Sequence, residues 1–259
     1  MIIKMIKKVK IMNKEREKLI LEIMLKEKKV TVKRLSKLLY ASEPSIRRDL
    51  AGLEASSLVR RVHGGAVLNE NGSGETKIPF LIRELEESNE KLIIAQKAAT
   101  LVKDGDVIFL DASSSAFNMI PFIAEKKDIT VITNGIKAIN ALCEYKDRGL
   151  KIIATGGRVH TTCLAFVGED AFKTIEQYNA DVCFFACRGL SNDGRLTDIA
   201  PDEDYVRIKM IEHSKKSYLL CTAEKIGNEY YHNICHLDKI SGAVFGESPL
   251  GELEKYEVI

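Results

Sequence analysis

Ser42-Glu-Pro-Ser-Ile-Arg-Arg-Asp-Leu50 opens on a helix-start signal and carries an apolar stripe with two adjacent arginines facing away from it. Ser42 is of the N-cap type, and Pro44 falls in the first turn, where a missing N–H costs nothing. At 100° per residue, Ile46, Leu50 and Leu53 fall within about 60° of one another and form a core stripe. Arg48 points almost opposite, with Pro44, Arg47 and Ala51 toward the same outer side, and Ser45 flanks the stripe. Asp49 lies near the stripe edge. It is expected to neutralise an arginine of the same domain, because a carboxylate turned to phosphate would be repelled.

Working upstream, Lys14 to about Lys28 reads as a first helix, with Leu19, Ile20, Ile23 and Met24 at helical spacing. Thr31 caps a second helix whose inward face is Val32, Leu35, Leu38 and Leu39, and Tyr40-Ala41 makes a short turn. Two short helices, a tight turn and a capped third helix with outward arginines follow helix-turn-helix logic, over about residues 30–49. A plain helical bundle with solvated arginines shares those features, and the next stretch separates the two. Leu58-Val-Arg-Arg-Val-His-Gly-Gly-Ala-Val-Leu68 is β-prone on both sides of Gly64-Gly65, which supply the backbone freedom a tight hairpin needs. A basic hairpin after a recognition helix is a wing. Its Arg60, Arg61, His63 and Gly64 would meet phosphates or the minor groove, while Ser42, Pro44, Ser45, Arg47 and Arg48 would face the major groove.

Charge divides the same way. Residues 1–68 hold 17 Lys and Arg against 7 Asp and Glu, a formal +10, whereas the remainder holds 22 against 30, a formal −8. A basic head on an acidic body implies that only the head meets a polyanion. Six cysteines (143, 163, 183, 187, 221, 235) all fall in the body, mostly in apolar runs and with no CxxC pair. They read as buried free thiols of a cytoplasmic protein, and their spacing predicts no metal site. No run approaches the roughly 20 apolar residues of a membrane span. The first thirteen residues mix Ile with Lys, lack a signal-peptide core, and read as an N-terminal extension. Met5 and Met12 are equally good starts.

With the quoted stretch followed by Leu53-Glu54 and by Arg60-Arg-Val-His-Gly-Gly-Ala66, the head resembles the DeoR family of bacterial sugar-metabolism repressors. Ser56-Ser57 departs from that pattern, which has an acidic residue and Gly at the helix end. The resemblance implies a winged helix-turn-helix domain over 14–68 that binds double-stranded operator DNA.

Asn69 to Pro79 is polar, glycine-containing and aperiodic, and predicts a linker. A long helix is expected from about Phe80 to Val102, with Leu81, Leu85, Leu92, Ala95 and Ala99 on one side. Strands are expected at Val107–Leu110, Ile129–Thr133, Lys151–Ala154, Val182–Ala186, Ser217–Cys221 and Ile240–Phe245, with helices at about 116–124, 136–146, 169–178 and 203–214. That alternation predicts a largely parallel α/β sheet over 80–259, whose ligands bind at the carboxyl ends of strands. Asp111, Ser113, Ser114, Ser115, Thr133, Asn134, Gly156, Gly157 and Arg158 follow successive strands, and Glu203 and Lys225 open or follow later elements. Each alone is ordinary loop chemistry. Together they point to a pocket for a phosphorylated small molecule.

The body also resembles the DeoR-type effector domain, related to sugar-phosphate isomerases and coenzyme A transferases, over about residues 80–245. Asp111, Thr133-Asn134, Gly156-Gly157, Gly168, Glu203 and Lys225 match its pattern. Ser113 stands for a glycine, Thr222 for an aspartate, Glu224 for a serine, and Cys187-Arg188 is unusual before Gly189. The resemblance implies a repressor of a carbohydrate operon relieved by a sugar phosphate, with no cofactor and no catalytic residues; the small head, which reads only a short site, predicts a homodimer or homotetramer on paired half-sites. A sugar-phosphate isomerase with a fused DNA-binding head and a ligand-independent regulator stay open as alternatives.

Overall fold

The computed structural model describes residues 2–69, 79–86, 88–249 and 251–259, with side chains from residue 15 onward. The chain forms two compact units, residues 1–73 and 74–259. The division falls within the expected linker, of which residues 70–78 lie outside the described residues.

The first unit contains α1 (Ile2–Glu27), β1 (Lys29–Thr31), α2 (Val32–Leu38), α3 (Glu43–Ala55), β2 (Val59–Val62) and β3 (Gly65–Leu68). The expected N-terminal extension 1–13 is not separate: α1 begins at Ile2. No Pro or Gly interrupts residues 2–13, so nothing in the local propensities stops the helix there. Thr31 Oγ1 accepts from Arg34 N at 3.2 Å and Ser42 Oγ from Ser45 N at 3.4 Å, so both helix starts are side-chain capped. Ile46, Leu50 and Leu53 are buried with Ile20, Leu21, Met24, Val32 and Leu35. Leu19 and Leu38, expected inside, are each 45 % exposed. The helices bury narrower stripes than the leucine pattern suggests.

β2 and β3 form the expected hairpin, and β1 adds a third antiparallel strand in the order β1-β3-β2. The two glycines of the turn have different work. Gly64 adopts φ +73°, whereas a Cβ on Gly65 would lie 2.2 Å from Val30 O, where β3 crosses β1.

The second unit begins with α4 (Phe80–Leu85) and α5 (Ser88–Ala99), where a single long helix was expected. The chain leaves the helix at Glu86, which is extended at φ −67°, ψ 137°. Lys91 Nζ then donates to Arg83 O at 2.6 Å and Glu86 O at 2.5 Å, taking carbonyls freed at the end of α4. The buried face of α5 is Ile94, Ala95, Ala98 and Ala99, and Leu92 is exposed.

Six parallel strands follow in the order β14-β12-β9-β4-β5-β6. In chain order the unit runs β4 (Val107–Leu110), α6 (Ser114–Phe117), α7 (Ile120–Ile123), β5 (Thr130–Thr133), α8 (Ile136–Cys143), β6 (Lys151–Ala154), β7 (Arg158–His160), β8 (Ala165–Val167), α9 (Glu169–Ile175) and β9 (Val182–Phe185). It continues with β10 (Gly189–Leu190), β11 (Arg195–Asp198), α10 (Pro201–Glu212), β12 (Ser217–Cys221), β13 (His232–His236) and β14 (Gly242–Phe245). All six expected strands are present and parallel. Their alternation divides the core in two. Ile108, Leu110, Val131, Phe184 and Leu220 pack against α5, α6, α7 and α8. Phe109, Ile132, Cys183, Phe185, Leu219 and Phe245 pack against α9, α10 and the small sheet β10-β11-β13. That sheet and the antiparallel pair β7-β8 have no counterpart among the expected elements.

Cys163, Cys183, Cys187 and Cys221 are buried and outside any disulfide, as expected, but Cys143 is exposed and Cys235 half-buried. Among the described residues no helix is long and apolar enough to cross a membrane.

Candidate functional sites

In the first unit the structure brings the expected contact residues onto two neighbouring elements. Ser42, Pro44, Arg47 and Arg48 are exposed along α3, and Ser45 is half-buried beside them. Arg48 Nη2 donates to Ser45 Oγ at 3.3 Å, and Ser45 Oγ lies 3.0 Å from Ser42 Oγ, so the hydroxyls orient the outward arginine. Arg47 reaches back to Glu43 at 3.5 Å. Asp49 is 4 % exposed and receives Arg16 Nε at 2.5 Å and Nη2 at 2.9 Å. This is the internal neutralisation expected of it, and the hydrogen bond to Asp49 raises the Arg16 pKa. On the wing Arg60, Arg61, His63 and Gly64 are exposed. Arg61 is steadied by Glu54: its backbone N donates to Oε1 at 2.9 Å, and its guanidinium lies 3.8 Å from Oε2. Arg60 extends outward from β2.

In the second unit a cavity of about 350 Å³ opens beside the carboxyl ends of β4, β9 and β12. Of the expected effector residues it is lined by Ser113, Ser114, Ser115, Glu203 and Lys225. The others stand elsewhere. Asp111 lies beneath, 1 % exposed, accepting from Ser113 N at 3.0 Å, Ala186 N at 3.3 Å and Arg207 Nε at 3.1 Å. Thr133 Oγ1 accepts from Gly135 N, and Asn134 Nδ2 donates to Phe166 O at 3.2 Å. Asn134 O also accepts from Phe166 N at 2.8 Å, so this pair stitches the β7-β8 hairpin to the end of β5. Gly157, at φ +107°, lets the same hairpin close: a Cβ there would lie 2.8 Å from Val167 O. Gly156 shares the turn, with φ +66°. Arg158 points to solvent and pairs with Asp202 at 2.6 Å.

The cavity gains residues that the strand-end rule does not reach. Arg83 and Lys91 come from α4 and α5, Arg188 and Tyr230 from loops, and Arg207 from α10. Among the described residues, Arg83 Nε and Nη2, Arg188 Nε and Ser115 Oγ are buried without a hydrogen-bond partner. The Arg188 guanidinium sits 5.2 Å over the Tyr230 ring. Burial, and then the nearby Lys225 charge, pull the Lys91 pKa down to about 8. Arg207 is the hub below. It contacts Asp111 (3.1 Å), Asp198 (3.0 Å), Glu203 (3.3 Å) and Asp204 (2.6 Å). Burial disfavours its charge, but Asp198, Asp204, Asp111 and Glu203 outweigh burial and hold it firmly protonated. Asp204, also 2.8 Å from His232 Nδ1, is pushed up to about 6 by burial and by Asp198, against the pull of Arg207 and His232.

Departures from the family pattern cluster here. Ser113 has an unstrained φ of −76° and caps α6 by accepting from Ala116 N at 3.1 Å. Glu224 and Arg188 line the cavity, and Thr222 Oγ1 is buried without a partner among the described residues.

The comparisons agree with this two-part architecture. A model described as the DeoR-like helix-turn-helix domain matches residues 16–72, and one described as the DeoR C terminal sensor domain matches residues 86–247. The uncharacterized HTH-type transcriptional regulator FruR of Bacillus subtilis is 35 % identical, over 82 % of this chain and 83 % of its own length. The lactose phosphotransferase system repressor of Staphylococcus epidermidis is 29 % identical, over 85 % of this chain and 86 % of its own. Ribose 5-phosphate isomerase A of Methanocaldococcus jannaschii overlies 54 % of this chain and 55 % of its own, with 17 % identity and a TM-score of 0.41. With both family models matched in order, over a winged helix-turn-helix and a parallel α/β sensor domain, the chain belongs to the DeoR family of transcriptional regulators.

Proposed function

We propose that the chain is a cytoplasmic repressor of carbohydrate-metabolism genes, released from its operator by a small phosphorylated sugar or related anion. The observation that carries the sensing half is the set of buried guanidinium donors without partners among the described residues, Arg83 Nε and Nη2 and Arg188 Nε, on a cavity that also presents Lys91 and Lys225. Buried unpaired donors are costly, and a phosphate would satisfy several at once. Ser113, Ser114 and Ser115 add hydroxyls for the sugar. Thr133, Asn134, Gly156, Gly157, Arg158 and Asp111 act in this reading as the frame of the cavity, not as contacts.

A head of this size reads a short site, so at least a homodimer on paired half-sites supplies the affinity. The effector acts by favouring the body arrangement in which the heads are wrongly spaced. A fused isomerase is the weaker reading. Asp198 and Glu203, which line the cavity, each accept a hydrogen bond from Arg207, so they serve the Arg207 network first.

Titration of operator DNA with the full chain tests the head. Arg48→Ala should relax base preference by about 1–3 kcal/mol, whereas Arg60→Ala should weaken binding to all sequences and lower the salt slope by about one. Unchanged binding in both variants would remove these residues from the interface. For the sensor, phosphorylated sugars should raise the melting temperature and weaken operator binding, and their unphosphorylated forms should do neither. Arg188→Ala should abolish both responses. A panel of phosphorylated sugars that leaves melting and operator binding unmoved would sink the sensing half.

A further inference from the structure

We propose that the β7-β8 hairpin and α10 together form a binding site for a thiophilic divalent cation of the zinc type, on the wall of the cavity. The ligands are an imidazole nitrogen of His160, Cys163 Sγ and a carboxylate oxygen of Glu203. These three ligand atoms lie within 4.8 Å of one another. His160 ends β7 and Cys163 stands in the hairpin loop, giving His160-Thr-Thr-Cys163, a two-residue spacing that lets one turn present both side chains. Glu203, from the first turn of α10, is distant in sequence and joins them only in the fold.

The donor set is chemically selective. One sulfur, one imidazole nitrogen and one carboxylate oxygen suit a borderline-soft cation such as Zn²⁺, and disfavour Mg²⁺ or Ca²⁺, which take oxygen ligands. Bonds of about 2.0–2.3 Å place tetrahedral ligands about 3.5 Å apart, so the three donors need to close by roughly an ångström. The surroundings hold them in place. Arg207 Nη2 donates to Glu203 Oε2 at 3.3 Å, orienting the carboxylate. Asn134 and Gly157 fix the hairpin from below, and the Arg158–Asp202 pair ties it to the start of α10. His160 Nδ1 accepts from Cys163 N at 3.3 Å, so the loop itself holds the imidazole beside the cysteine.

Binding converts the Cys163 thiol to a metal thiolate and releases its proton to solvent. The imidazole binds as the neutral ring and Glu203 as the carboxylate, so affinity rises with pH until the proton has gone. Cys163 and Glu203 both line the cavity, so a small molecule there would have access to the ion. Three protein ligands with one open position is the arrangement in which a hydroxyl or water completes the sphere. Occupancy would also stiffen the hairpin loop, whose Thr162 O accepts from Phe80 N at the start of α4.

The test uses the full reduced chain, stripped with chelator and titrated with Co²⁺ alone, then with Zn²⁺ in competition. The expected result is tetrahedral visible bands with a thiolate charge-transfer band in the near ultraviolet, saturating at one equivalent and bleached by Zn²⁺. Cys163→Ser and His160→Asn should each lose the charge-transfer band, and Cys143→Ser, at the exposed cysteine, should keep it. Absence of the band in the wild type, or its persistence in Cys163→Ser, overturns the site. If Cys163→Ser does not fold, the partly exposed His160→Asn carries the comparison: an unaltered spectrum there overturns the site equally. No sugar phosphate enters the measurement, so its failure is separate from any failure of the effector reading.

Discussion

Lys91 is 3 % exposed, yet its ammonium must be either charged in a poor solvent or neutral against its ordinary chemistry. Burial and the Lys225 charge bring its pKa to about 8, so keeping it protonated at pH 7 costs about 3 kcal/mol relative to water. Two of its three N–H groups are taken by Arg83 O and Glu86 O, which leaves one for the cavity it lines. A bound anion would restore the charged form and lift the pKa back. The sign follows: at pH 8.5 the free protein has largely lost this proton and the complex keeps it, so binding takes a proton up, whereas at pH 6.5 both states are protonated. Calorimetry in two buffers of different ionisation enthalpy should therefore give different heats at pH 8.5, where a sugar phosphate is already the dianion and takes no part in the proton balance. Equal heats there would place the anion away from Lys91. Of the cavity cations, the sequence reading reached Lys225 alone. A rule that looks at strand ends cannot find Arg83 and Lys91, which arrive on helices before the first strand of the sheet. It also misplaces Arg158, which stands near a strand end but turns outward to Asp202.

Two serines that depart from the family pattern show how an element decides what a residue costs. Ser57 follows α3 with φ +58°, a left-handed conformation that an L residue adopts at a penalty, and its N–H closes the helix end on Glu54 O at 2.9 Å. Ser57→Gly should stabilise the head by about 0.5–1 kcal/mol, read as a higher urea midpoint at unchanged slope. Ser113, also in a glycine position, sits at φ −76° and caps α6, so Ser113→Gly should gain nothing and lose part of the cap. A midpoint raised by Ser113→Gly and not by Ser57→Gly would reverse this account. The same dependence on element explains what was legible. The six parallel strands announce themselves as apolar runs, because both faces of the sheet are covered. β7, β8, β10, β11 and β13 are two to five residues long, with His, Asn and Arg among them, too short and too polar to show a strand period, and β13 finds its partner β11 only across α10 and β12. The break between α4 and α5 carries no Pro or Gly. Its only local sign is the polar start Ser88-Asn89-Glu90 within an otherwise helical period.

At the scale of the molecule, each unit has a core of its own. Ile20, Leu35, Ile46 and Leu50 close the head, and the body is built on the two faces of its six-stranded sheet. Arg207 joins the body's parts through Asp111 after β4, Asp198 in β11, and Glu203 and Asp204 in α10. Arg207→Met would leave four carboxylates around an apolar side chain and should cost the body about 3–5 kcal/mol. Separate cores imply separate cooperative units, so calorimetry of the full chain should resolve two transitions. Arg207→Met should lower only the body transition, and Ser57→Gly should raise only that of the head. A phosphorylated sugar at 100 times its dissociation constant should add about 2.7 kcal/mol to the body, raising its transition by roughly 5–10 °C while the head stays in place. A single transition that moves with all three perturbations would mean that the units unfold as one. The effector's energy would then be shared with the head before any DNA is bound.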